Sequence, residues 1–142
     1  MVHQGLAKAQ SKLGNMFGSG RGVAHNDNEA ARWYKKAADQ GFAEAQCNLG
    51  LHYVAGRGVT HSHEEAARWL RKAAEQGVAE AQSYLGIMYW DGLGVKPNDV
   101  EAAKWLKKAA EQGHARAQCN LGAFFGEGRG VAQSNKEALR WY

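Results

Sequence analysis

The sequence is short of proline and cysteine: Pro97 is its one proline, and Cys47 and Cys119 are its two cysteines. It also lacks any run of about 18 apolar residues, so no segment reads as a membrane-spanning helix. Met1-Val2-His3-Gln4 leads straight into patterned sequence, with no basic region, apolar stretch or cleavage site. No signal peptide is expected, which favours the cytoplasm over the periplasm or secretion. Glycine is plentiful, but it does not recur every third residue, which excludes collagen. With 44% hydrophobic and 23% charged residues, the composition is that of a folded chain rather than a disordered one. The net charge of +4 permits acidic partners without requiring them.

What is present is a repeat. Shifted by 36 residues, the sequence matches itself without gaps: Gly5, Gly41, Gly77 and Gly113 align, as do Leu13, Leu49, Leu85 and Leu121. Gly14, Gly50, Gly86 and Gly122 form a further column, and the pairs Gly20-Gly22, Gly56-Gly58, Gly92-Gly94 and Gly128-Gly130 form two more. These columns hold 16 of the 18 glycines, which makes the chain a tandem array. The expected organisation is a single repeat domain over 1–142. Its copies are 5–40, 41–76, 77–112 and a truncated 113–142, with 1–4 as the tail of a preceding unit.

Within a copy, Ala45, Leu49 and Tyr53 are spaced i, i+4, i+8, a helical period. The Gly56-Arg57-Gly58-Val59 stretch ends this first helix. A second helix begins at Asn26, Ser62, Asn98 and Ser134, each followed three residues later by Glu29, Glu65, Glu101 or Glu137, the spacing of a capping box. Its buried stripe is expected to carry Ala30, Trp33 and Ala37, and the column Trp33, Trp69, Trp105 and Trp141 is expected to be core. Gly14 and its copies lie inside the first helix, where glycine costs about 1 kcal/mol relative to alanine. That cost predicts a close helix–helix contact. Two short helices per copy cannot bury their own apolar stripes, so copies must stack. The fold class is all-α, an α-solenoid.

The string Ala81…Leu85-Gly86…Tyr89…Gly92…Gly94-Val95, then Ala102…Trp105…Ala109-Ala110…Gly113, resembles the Sel1-like repeat family, related to tetratricopeptide repeats. The resemblance implies a right-handed superhelix of helix-turn-helix units, with the first helices lining the concave side. It also implies a non-enzymatic adaptor that binds other proteins; many members are bacterial, and some carry one disulfide per repeat. Here Cys47 and Cys119 share a column two copies apart. Stacking at 8–10 Å per step would put them roughly 16–20 Å apart, too far to bridge, and a reducing compartment is mildly favoured.

Other chemistry reads as structural. The Gly20-Arg21-Gly22 type of loop lacks the strand and the Gly-Lys-Ser/Thr of a phosphate loop. His61-Ser62-His63 offers two metal ligands without a third. No nucleophile–base spacing recurs, and no cofactor is expected. Basic residues recur on the second helix as Arg32, Lys35, Lys36; Arg68, Arg71, Lys72; Lys104, Lys107, Lys108; and Arg140. They are expected opposite the tryptophans, as a solvated face paired with glutamates three residues earlier and with Asp39, Glu75 and Glu111. The alternative reading is a basic convex face for nucleic acid or anionic lipid.

Matching columns set the fold, and varying columns are free to carry specificity. On the first helix the varying columns read Lys8, Lys12, Asn15, Ser19; Glu44, Asn48, Leu51, Ala55; Glu80, Tyr84, Ile87, Asp91; and Arg116, Asn120, Ala123, Glu127. Leu51, Tyr84 and Ile87 stand where a solvated face should be polar, and Trp90 lies outside the tryptophan column. A groove for a peptide or protein partner is therefore expected around the third copy. Tyr84 and Ile87 would be its anchors, with Asn48, Leu51, Glu80, Trp90, Asp91 and Asn120 around them. The ends show no polar cap, so head-to-tail self-association is also expected.

Overall fold

In the computed structural model, residues 2–127 are described. The expectations placed on Gly128, Gly130, Ser134, Glu137, Arg140 and Trp141 lie outside those residues. The described residues form seven α-helices and no strand: α1 Val2–Ser19, α2 Asp27–Asp39, α3 Ala43–Ala55, α4 His63–Glu75, α5 Ala79–Asp91, α6 Asp99–Glu111 and α7 Ala115–Glu127. Odd-numbered helices are the first helices of the copies and even-numbered ones the second. The chain divides into two compact units, Met1–Ala73 and Ala74–Tyr142.

The second helices start where the sequence places them. Asn26, Ser62 and Asn98 each accept from the backbone N–H of the glutamate three residues on, at 3.1 Å. The other half of the capping box is replaced. The N-cap amides of Asn26, Ser62 and Asn98 donate to the carbonyls of Phe17, Tyr53 and Tyr89 on the preceding first helix. Freed from that duty, Glu29, Glu65 and Glu101 pair with Arg32, Arg68 and Lys104 at 2.7, 3.5 and 3.9 Å. Each such exposed pair contributes only about 0.3–0.5 kcal/mol.

The glycines inside the first helices do mark close approaches. A Cβ on Gly14 would lie 2.7 Å from the Tyr34 ring, on Gly50 2.7 Å from Leu70 Cγ, and on Gly86 2.8 Å from Leu106 Cγ. The column Tyr34, Leu70 and Leu106 is thus the knob that fits each glycine hole. This corrects the expected stripe on α2: Trp33 is only half-buried, and Tyr34 takes the buried place between Ala30 and Ala37. Trp69 and Trp105 are buried as expected, at 2% and 3% exposure.

A glutamine column that the sequence reading passed over ties one copy to the next. Gln46, Gln82 and Gln118 donate to the carbonyls of Ala38, Ala74 and Ala110 at the end of the preceding second helix, at 3.1–3.3 Å. Gln82 also accepts from Gln112, as Gln10 does from Gln40. A buried amide with an apolar neighbour in place of its partner would cost about 1–3 kcal/mol, so these bonds fix the register between helices. At the start of the chain, Gly5 is helical and α1 runs through it from Val2, whereas Gly41, Gly77 and Gly113 adopt positive φ at helix ends.

Candidate partner-binding surfaces

In the first unit, the C-terminal halves of α1 and α3 flank an open cleft of about 700 Å³. The varying columns Lys12, Asn15, Ser19, Asn48 and Leu51 line it, joined by Met16, Arg21, Tyr34, His52 and Arg57. At its base the Tyr34 hydroxyl donates to Asn15 Oδ1 at 2.6 Å. The Tyr34 ring meets the His52 imidazole edge-on at 5.3 Å. Burial raises the Tyr34 hydroxyl above its ordinary range, and the Glu44 charge adds to the shift.

His52 is buried and ties off the end of α3. Its carbonyl accepts from Arg57 N–H at 2.9 Å, and its Nδ1–H donates to the Arg57 carbonyl at 2.9 Å. Burial holds its pKa below the usual histidine range. The native state therefore takes up a proton at lower pH than the unfolded chain. Stability is fully present above about pH 6.5, the unfolded value, and falls as pH drops towards the depressed folded pKa. Urea midpoints at pH 7.5 and 5.5 should show this loss, and His52→Gln should show less of it.

The Gly56-Arg57-Gly58 turn reaches back to the preceding copy. Gly56 closes α3 in the left-handed region at φ 68°, and Arg57 Nη2 pairs with Asp27 at 2.9 Å at the start of α2. His25 pairs with the same carboxylate at 2.9 Å. The hydrogen bond from Arg57, then that from His25, holds Asp27 below the usual carboxylate range. The loop that resembled a phosphate cradle is a docking element between copies.

The eight residues expected in one groove fall in both units: Asn48 and Leu51 in the first, the other six in the second. In the second unit, Tyr84 on α5 accepts from Arg116 Nη1 on α7 at 3.3 Å, and the guanidinium lies 5.8 Å from its ring centre. Ile87 and Trp90 are half-buried and pack against the core built by Ala102, Leu106, Ala117 and Leu121. Glu80 and Asp91 are exposed, and Asn120 is half-buried.

The second-helix face differs from expectation. The basic side chains do not stand opposite the tryptophans but over them: Lys36 lies 4.4 Å from the Trp33 ring centre, Lys72 4.8 Å from Trp69, and Lys108 4.8 Å from Trp105. Residues three apart share a helix face, and a flexible cationic stem covers apolar surface while its charge stays in water. Trp69 and Trp105 are therefore closed to stacking with bases. His61 and His63 meet edge-on at 4.5 Å. Among the described residues, no group of three His, Cys, Asp or Glu side chains could hold a metal ion. Cys47 is buried and Cys119 exposed, and neither forms a disulfide.

Copies of paired helices, knob-in-glycine contacts and interlocked turns define an all-α helical-repeat protein of the solenoid class. The Sel1 repeat family model matches residues 7–42, 43–78, 79–114 and 115–142. The chain belongs to the Sel1 repeat family, whose members generally serve as protein-interaction scaffolds. The same fold is seen in c5321, a protective antigen of uropathogenic Escherichia coli strains, at 40% identity and TM-score 0.94 over 98% of this chain. A Sel1 repeat protein from Oxalobacter formigenes shares 42% identity over 96% of the chain, with TM-score 0.90. Helicobacter pylori cysteine-rich protein B shares 27% over 80%, with TM-score 0.65; the match covers 87% of that protein. The chain spans 30% of the length of the first of these structures and 56% of the second. Among curated proteins nothing matches. No described helix is long and apolar enough to cross a membrane.

Proposed function

We propose that the chain is a non-enzymatic scaffold that holds a peptide or protein partner on the face of its first helices. Asn48 and Leu51 would contact the partner in the first unit. In the second, Tyr84 and Ile87 would anchor it, beside Glu80, Trp90, Asp91 and Asn120. One observation carries this reading: columns that vary between copies line the cleft of the first unit. A binding surface on a repeat scaffold is built from such columns, because the matching ones are occupied with packing.

Site-specific photo-cross-linking tests it. A benzophenone amino acid is placed at Leu51, Tyr84 or Lys107 in turn, and cells producing each variant are irradiated. Protein adducts are expected from positions 51 and 84 and not from 107. Adducts from 107 alone would move the function to the second-helix face and overturn the assignment.

A further inference from the structure

We infer that the cleft of the first unit is a receptor for a carboxylate, presented by an acidic peptide with an aliphatic residue beside the acid. The inference deepens the scaffold reading and rests on it. Lys12, Arg21 and Arg57 bring three cations to the cleft, and no acidic side chain lines it. Of the nearby carboxylates, Asp27 is engaged by both Arg57 and His25, and Glu44, whose charge reaches the Tyr34 hydroxyl, is exposed one turn before Asn48 on α3. Lys12 and Arg21 have no such counter-charge among the described residues. The Tyr34 hydroxyl uses Asn15 Oδ1 as its acceptor, so the Nδ2 end of that amide is left as a donor fixed in orientation. Asn48, half-buried on the facing helix, supplies a second neutral amide. Fixed amide donors plus mobile cations are what a carboxylate needs, because charge-assisted bonds are shorter and stronger than neutral ones.

Two further observations narrow the ligand. Met16, Leu51 and the Tyr34 ring give the cleft an apolar lining beside the donors, suited to an aliphatic side chain next to the acid. The cleft also lies against the last turn of α1 at Gly18 and Ser19. The partial negative charge of a helix C-terminus weighs more heavily against a phosphate dianion than against a carboxylate.

The test is an NMR titration of the isotope-labelled full chain with the peptide acetyl-Leu-Glu-Glu-Leu-amide. Its controls are the glutamine version of the peptide and inorganic phosphate. The acidic peptide should shift the amides of Lys12, Asn15, Asn48 and Leu51, and rising salt should weaken it. The glutamine peptide should bind about tenfold more weakly, a difference of about 1.4 kcal/mol. The double variant Lys12→Glu/Arg21→Glu should reverse the preference towards acetyl-Leu-Lys-Lys-Leu-amide. Should that variant not fold, Lys12→Gln must still weaken the acidic peptide at unchanged melting temperature. Equal binding of both peptides, or shifts gathered at Arg68 and Lys104, would overturn the proposal. The same would follow if inorganic phosphate gave the cleft pattern at lower concentration. Adducts from position 51 in the cross-linking experiment, with no response to the acidic peptide, would keep the scaffold and discard the carboxylate.

Discussion

Replacing Trp105 by alanine is expected to lower stability by about 3–5 kcal/mol, a large part of the roughly 5–15 kcal/mol that holds a typical domain. The side chain is 3% exposed, and Lys104 and Lys108 lie 5.1 and 4.8 Å from its ring centre. Its indole Nε1 has no hydrogen-bond partner, so truncation removes packing and cation–π contact and leaves no polar group stranded. Trp33→Ala is the internal control: that ring is half-buried and should cost distinctly less. Urea denaturation followed by circular dichroism measures both. Equal losses at the two positions would mean that burial does not set the contribution of this column.

Gly58→Ala is expected to destabilise more than Gly22→Ala, although both glycines occupy the left-handed region, at φ 70° and 74°. An L-residue there costs about 1–2 kcal/mol. At Gly22 the new methyl would meet only the flexible tip of Met16, at 3.3 Å. At Gly58 it would overlap the Asp27 carbonyl carbon and oxygen and the Asn28 nitrogen, the nitrogen at 2.9 Å. Backbone atoms at the start of a helix cannot move aside, so the loop must lift and the Arg57–Asp27 pair must stretch. Thermal melts of the two variants, with Arg57→Ala for comparison, separate backbone strain from loss of the ion pair.

The repeat, its helices, the N-caps and the helix–helix contact at Gly14, Gly50 and Gly86 were legible because each rests on a column that recurs in sequence. The partner of those glycines was harder to see, since Tyr34 and Leu70 share a position and not a residue type. The glutamine column Gln10, Gln46, Gln82 and Gln118 is invariant and in plain view. Its acceptors, however, are backbone carbonyls, which leave no mark on a sequence. The role of His52 left no mark for the same reason: its partner is the Arg57 carbonyl. Of the cleft, the Lys12, Asn15, Ser19, Asn48 and Leu51 positions follow from the helical wheel. Arg21 and Arg57 do not, because they come from turns whose path only the fold reveals. The lysines over the tryptophan rings were legible too, and were misplaced in the expectation above: Trp33 and Lys36, like Trp69 and Lys72, are three residues apart and so share a helix face.

The ties between helices also have a consequence for how the chain folds. Gln46 reaches a carbonyl 8 residues back, Arg57 an acid 30 back and Arg116 a tyrosine 32 back. None of these spans as much as one 36-residue copy. Contacts of such short range keep loop-closure entropy small and place a chain among the fast folders, in microseconds to milliseconds rather than seconds. Formation can start in whichever copy first closes its own knob and glycine, and then spread one neighbour at a time.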